Sequence, residues 1–357
     1  MVDPFYGNDM NMFNKKNWHI LLGIMLTIFL LVQVSHLFFR EQEREIRHSI
    51  YTAVKQAYPK AAKRFEQSHG LKLFKINSNL SPGKAHGTVI LIHGLDEPGL
   101  VWMNLAPVLY DRGFEVLIMT YPNDQSIKAS STFFFSQMVS YFAGKKRSVS
   151  IIAHSMGGLI SRDMLTDPLF DYSKKAKQGK VPPVDHLIMI GTPNHGAPLA
   201  RFRFFTEIRD QFHNLFDKET HWLNGLLDGV GEAGIDLLPD SRFLADLNSR
   251  PLPDPLDIQM IAGTVSPWSK GEIPVFIQRL EQNLPCKTRP ASRTLEKTLV
   301  SMSRTLGDGL VSMNSARLNG VPLTMVHGTH LTMIRNISVS SKRIPPAVPL
   351  ILKMLTL

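Results

Sequence analysis

Val149-Ser-Ile-Ile-Ala-His154-Ser155-Met156-Gly157-Gly158 is the stretch whose reading decides the fold. Residues 149–153 form a short apolar run, rich in β-branched side chains, of the kind buried as a strand. The run leads straight into Ser155, and a helical stretch, Gly158-Leu-Ile-Ser-Arg162, follows at once. Strand, sharp turn and helix in that order predict a nucleophile elbow, in which the turn holds Ser155 in a strained backbone conformation with its hydroxyl exposed. Strand and helix nearly touch at such a turn, so the residues two before and two after it must be small. These are Ala153 and Gly157, an A-x-S-x-G pattern one methyl away from the usual G-x-S-x-G. The helix start also offers free N–H groups and a positive dipole end where negative charge would develop.

Outward from the elbow, strands alternate with helical stretches. Strands are predicted over 88–93, 114–120, 186–190, 258–262 and 323–326, and helices over 102–110 and 130–142. This pattern belongs to the α/β class, with a mostly parallel central sheet and helices on both faces. Two stretches interrupt it. The first, about 199–255, carries Phe202, Phe204, Phe205, Phe212, Phe216 and Trp222, and reads as a lid-like insertion over an apolar substrate. The second, about 265–306, has no assigned role.

Three further features lie at strand ends. His93-Gly94-Leu95 follows the first core strand; the Leu95 N–H, with that of Met156, would form an oxyanion hole. Asp308 sits in a turn with a Gly on each side, which allows a carboxylate to lean into a site. His327-Gly-Thr-His330 follows the last strand, and His330, on the loop, is preferred to His327 as general base. Ser155, Asp308 and His330 thus occur in the chain order expected of a serine hydrolase of this class.

With these residues in place the chain resembles the α/β-hydrolase superfamily. It is similar to bacterial lipases and to the GPI inositol-deacylase-like and lecithin–cholesterol acyltransferase-like branches. The resemblance rests on VILIHGL at 89–95, AHSMGGLISR at 153–162 and IGTPNHGAP at 190–198. Looser support comes from DLLPDSRFLADLN at 236–248 and GDGLVS at 307–312, and the whole covers about 86–335. It implies Ser155 as nucleophile, Asp308 as acid, His330 as base, and an ester of a lipid or acyl alcohol as substrate. Acyl transfer to an alcohol would use the same residues. A non-catalytic membrane-tethered scaffold would be expected to break the triad, which is intact here, and no acidic pocket for an N-terminal amine favours a peptidase.

The N-terminal 18–39 stretch, WHILLGIMLTIFLLVQVSHLFF, has no Asp, Glu, Lys or Arg. As a helix it would extend roughly 33 Å, enough to cross a hydrocarbon core of about 30 Å. It is longer than the core of a cleaved signal and has no small-x-small site, so it reads as a transmembrane signal anchor contacting membrane lipids, after a 1–17 tail. The lysines and arginines on its two sides do not fix orientation, and an extracytoplasmic catalytic domain is the expectation. Residues 40–85 read as a stalk or first helix and lead-in, with a break near Tyr58-Pro59, and 86–357 as the hydrolase domain.

The composition, 43% hydrophobic and 20% charged, excludes a disordered or fibrous chain. The net charge of +10 comes from scattered residues without a nucleic-acid module, so no nucleic-acid partner is expected, whereas anionic lipid headgroups fit. The single Cys286 cannot form an internal disulfide or a cysteine metal cluster. No cofactor or metal is expected, and Asp124, Asp167 and Asp171 read as solvated or capping residues rather than calcium ligands.

Overall fold

The computed structural model describes residues 40–75, 86–95, 99–122, 125–197, 232–265, 278 and 307–356. The expected anchor at 18–39, the core of the expected lid at 198–231 and nearly all of 265–306 lie outside them. Among the described residues no helix is long and apolar enough to cross a membrane. The chain divides into two compact units, Met1–Ile50 and Tyr51–Leu357. In the first, the described residues, 40–50, are helical and belong to α1 (Arg40–Ala57). The second continues with α2 (Pro59–Gln67), which starts on a proline after the break at Tyr58.

The second unit is built on a seven-stranded sheet. Its strands are β1 (Gly70–Leu73), β2 (Thr88–Ile92), β3 (Glu115–Thr120), β4 (Val149–His154), β5 (Val184–Ile190), β6 (Asp257–Thr264) and β7 (Leu323–His327). Their order is β1-β3-β2-β4-β5-β6-β7. β1 pairs antiparallel with β3; every other pairing is parallel. Sequence reading missed β1, which lies within the stretch taken as lead-in and adds an edge strand to the sheet.

The strands read as continuous apolar runs because both faces of the sheet are covered. Ile90, Ile92, Leu117, Met119, Ile151, Leu187, Met189 and Met260 point to one core. The alternating residues, Val89, Leu91, Val116, Ile152, Ile188, Ile190 and Ile261, point to the other. The first core is closed by α4 (Ile127–Tyr141), α5 (Met156–Thr166) and α8 (Arg242–Ser249). The second is closed by a 3-10 turn (Leu100–Trp102), α3 (Leu105–Asp111) and α10 (Ala347–Met354). Short helices α6 (Tyr172–Lys177), α7 (Glu232–Asp236) and α9 (Met313–Ala316) lie among the described residues as well. Truncating a fully buried side chain such as Ile151 to Ala would cost about 2–5 kcal/mol.

The expected insertion at 199–255 is corrected in its second half. Ala233, Leu237, Phe243, Leu244 and Leu247 are buried in the first core, so 232–249 is framework and not lid. Ser241 begins α8 by accepting the Leu244 N–H, and Asp236 reaches across to accept the Ile127 N–H at the start of α4. Apolar side chains in this segment therefore serve packing, which sequence alone could not separate from substrate contact.

Candidate active site

Each chemical group stands where a parallel strand ends. β4 stops at His154, α5 starts at Met156, and Ser155 between them has φ 53° and ψ −125°, a conformation costly for a residue with a side chain. Ser155 donates its backbone N–H to the Ile190 carbonyl at 2.8 Å, which fixes the turn against the neighbouring strand. A Cβ on Gly157 would lie 2.5 Å from the Ile92 carbonyl oxygen and 2.6 Å from that of His93. The helix can approach β2 this closely only without a side chain there, which is the small-residue requirement expected of the elbow.

The loop after β2 passes over the serine. A Cβ on Gly94 would sit 2.6 Å from the Ser155 Cβ and 3.2 Å from its Oγ. His93 braces this loop from beneath: it is buried, its Nδ1 is 2.7 Å from the Gly94 carbonyl, and its ring stacks on Tyr121 at 4.4 Å. Tyr121 in turn donates its hydroxyl to the His93 carbonyl at 2.6 Å. Burial pushes the His93 imidazole down to about 4, so it is neutral near pH 7. Among the described residues, neither the Leu95 nor the Met156 N–H has a protein acceptor, so both amides at the expected oxyanion position are open.

Asp308 and His330 are joined directly. His330 Nδ1 lies 2.7 Å from Asp308 Oδ2, with both residues buried. The other carboxylate oxygen accepts the Leu310 and Val311 N–H groups at 2.9 and 2.8 Å, and the His330 N–H donates to the Asp308 carbonyl at 2.9 Å. With Nδ1 donating to a carboxylate, Nε2 is left as the basic nitrogen. His327, the alternative base, is exposed at the end of β7. Among the described residues Ser155 Oγ makes no hydrogen bond to His330; such contacts are often loose before substrate binds. The two are tied through the neighbouring residue: His154 Nε2 donates to the His330 carbonyl at 3.0 Å, and the two rings lie 4.7 Å apart. Burial first, then the nearby His330, hold the His154 imidazole well below its ordinary value.

Sequence reading missed three supporting positions. His154 is one; a polar residue ending an apolar strand was its only signal. Gly191 is the second: its φ is 58°, and a Cβ there would lie 3.1 Å from both Asp308 Oδ2 and His330 Cε1, so its bareness makes room for the acid–base pair. The third is Arg162 on α5. It donates to the side-chain oxygens of Asn194 at 2.9 Å and Asn248 at 3.0 Å, while Asn194 donates to the Ala316 carbonyl and Asn248 to that of Asn194. Burial, with the nearby Arg250, lowers this guanidinium to about 10, so it remains charged. α5 is thereby tied to the loop after β5, to α8 and to α9.

Asp171 is exposed at the start of α6, as expected. Asp167 departs from the solvated reading: it is buried, pairs with Lys128 and accepts the Leu169 N–H. Next to it, buried Asp163 accepts from Arg250 and Ser131. These acids are occupied by cations and a hydroxyl of the chain.

This architecture and strand order define an α/β-hydrolase fold. Phospholipase PlaB from Legionella pneumophila, in complex with thio-NAD, superposes with a TM-score of 0.51 at 15% identity, over 76% of this chain and 58% of that one. A Bacillus licheniformis lipase in mature form (TM-score 0.49, 16% identity, 80% of this chain and 98% of that one) is also similar. So is Staphylococcus hyicus lipase (TM-score 0.49, 13% identity, 79% and 97%). Within the chain, residues 130–234 match the family described as PGAP1-like alpha/beta domain. No curated protein matches the chain.

Proposed function

We propose that the protein is a serine hydrolase of carboxylic esters, with lipids or acyl alcohols as the substrate class. The observation that carries this reading is the His330–Asp308 hydrogen bond, made on the loops that adjoin a strained Ser155 set in a turn with Gly157 two residues on and Gly94 packed against it. Ser155 Oγ attacks the ester carbonyl while His330 Nε2 takes its proton. The carbonyl oxygen, now negative, is held by the Leu95 and Met156 N–H groups. Collapse expels the alcohol, which receives the proton from His330 and leaves an acyl-Ser155. Water, deprotonated by the same nitrogen, then releases the acid. Asp308 stabilises the imidazolium throughout.

Residues 18–39 anchor the enzyme beside its substrate in this reading, supported by the uncharged length of that stretch; an extracytoplasmic catalytic domain is the orientation proposed, because the whole domain follows that one stretch. The test compares wild type with Ser155→Ala, using fluorophosphonate labelling and turnover of a water-soluble ester. Labelling and turnover are expected in wild type alone. Turnover retained by the alanine variant, with the fold intact by circular dichroism, overturns the assignment.

A further inference from the structure

The loop after His330 combines exposed apolar side chains with positive charge in a way the catalytic reading does not use. Ile337 and Val339 are each 87% exposed and Ile344 is 70% exposed. Among the described residues nothing covers them, although the loop itself is firmly held. Asn336 is buried; its N–H donates to Asn104 Oδ1 at 2.8 Å and its side-chain amide to the Arg343 carbonyl at 2.7 Å. Arg343 donates to the Thr332 carbonyl at 2.7 Å. The bonds close the loop on itself, so its apolar side chains are presented on a fixed backbone.

The loop lies at the catalytic end of the sheet. It starts a few residues beyond His330, after the C-terminal end of β7, and Asn104 belongs to the connection leaving the C-terminal end of β2. That connection also exposes Leu100, at 66%. Charge then selects the occupant. From Gly309 to Leu357 the sequence contains Arg317, Arg335, Lys342, Arg343 and Lys353 and not one Asp or Glu. Lys342 and Arg343 stand between Val339 and Ile344, both exposed. Isolated branched apolar side chains that alternate with serines and adjoin basic residues suit insertion among lipid headgroups, where the apolar tips enter the acyl boundary and the cations meet phosphates.

We propose that the 337–344 loop docks the catalytic end of the domain on an anionic lipid bilayer. The proposal rests on the ester-hydrolase reading for its purpose, since it brings Ser155 to lipid, but its geometry is independent of the chemistry. Each basic side chain near such a surface strengthens binding by about fivefold, so anionic lipid is required for full engagement.

The test uses the full chain reconstituted in vesicles, with Cys286→Ser and a polarity-sensitive fluorophore on Val339→Cys. The vesicles are phosphatidylcholine with or without phosphatidylglycerol, and each carries nitroxide lipids as quencher. A label on Leu169→Cys is the control. Leu169 is 80% exposed and follows the C-terminal end of α5, at the opposite end of the sheet from Ser155.

The 339 label is expected to shift to the blue and to be quenched in anionic vesicles. The 169 label should stay aqueous, and Lys342→Glu, a change of two charges, should weaken engagement of the anionic vesicles by about 25-fold. Ile337→Cys, labelled alike, should repeat the result. A 339 label that stays in water in both vesicles, or is quenched no more than the 169 label, overturns the proposal and turns attention to an acidic protein partner. Turnover of a water-soluble ester by the unlabelled chain reads the hydrolase assignment separately, so either idea can fail alone.

Discussion

Asp308→Asn separates orientation from mere presence at the site. In the wild type, one carboxylate oxygen accepts two backbone N–H groups and the other accepts His330 Nδ1–H. An asparagine has one acceptor and one donor end. Its oxygen must face Leu310 and Val311, because an NH2 group there would meet two donors. The NH2 group then faces His330 Nδ1 and can be accommodated only if that nitrogen carries the lone pair. The imidazole proton is driven to Nε2, the atom that takes the serine's proton in the proposed mechanism. Tautomer inversion of this kind lowers kcat by roughly 10,000-fold, which corresponds to about 5.5 kcal/mol of barrier. Stability should change little, by less than about 1.5 kcal/mol, since both backbone hydrogen bonds survive. The assay is steady-state turnover of a soluble ester beside a urea unfolding curve. Activity within tenfold of wild type would refute the argument, because it would mean that Nε2 remains basic without the carboxylate.

Gly157→Ala places a methyl against two carbonyl oxygens of backbone that cannot swing aside; it should destabilise the domain by about 1–3 kcal/mol, and an unchanged urea midpoint would show that α5 has slack against β2. Acid should destabilise the protein through His93. Its folded value of about 4 lies below the ordinary 6.5, so between the two the unfolded chain binds a proton that the folded chain refuses. The stabilisation is fully present above about pH 6.5 and is lost as pH falls towards 4, up to on the order of 3 kcal/mol. His154 acts in the same direction. Urea midpoints measured across that window should slope less in His93→Gln; an equally steep variant would remove His93 as the cause.

The parts of the site that could be read from sequence are those whose chemistry forces a local pattern. An elbow needs small residues at fixed offsets, so Ser155 with Ala153 and Gly157 announced itself, and the buried parallel strands declared themselves as unbroken apolar runs. Asp308 and His330 were reached through chain order and strand ends, and the structure joins them. What stayed hidden depends on contacts between distant segments. Gly191 has a role only because Asp308 and His330 arrive beside it from much later in the chain. Arg162 gave no sign that its partners would be Asn194 and Asn248. The aromatic-rich insertion was misjudged over 232–249 because an apolar side chain looks the same whether it meets a core or a substrate. β1 was passed over since its Gly-Leu-Lys-Leu carries little apolar signal.

The manner in which Arg162 is held has a consequence for how the domain responds to its surroundings. Asn194 and Asn248 meet its charge with neutral amide oxygens, the first fully buried and the second partly buried. Dissolved salt weakens attractions between exposed opposite charges, with a reach of about 8 Å at physiological strength, but it has little purchase on a buried fork of amides. The partly exposed pairings, such as Arg147 with Glu115, can loosen with ionic strength. The scaffold that joins α5 to the loops around it therefore depends less on the ionic composition outside than those pairings do.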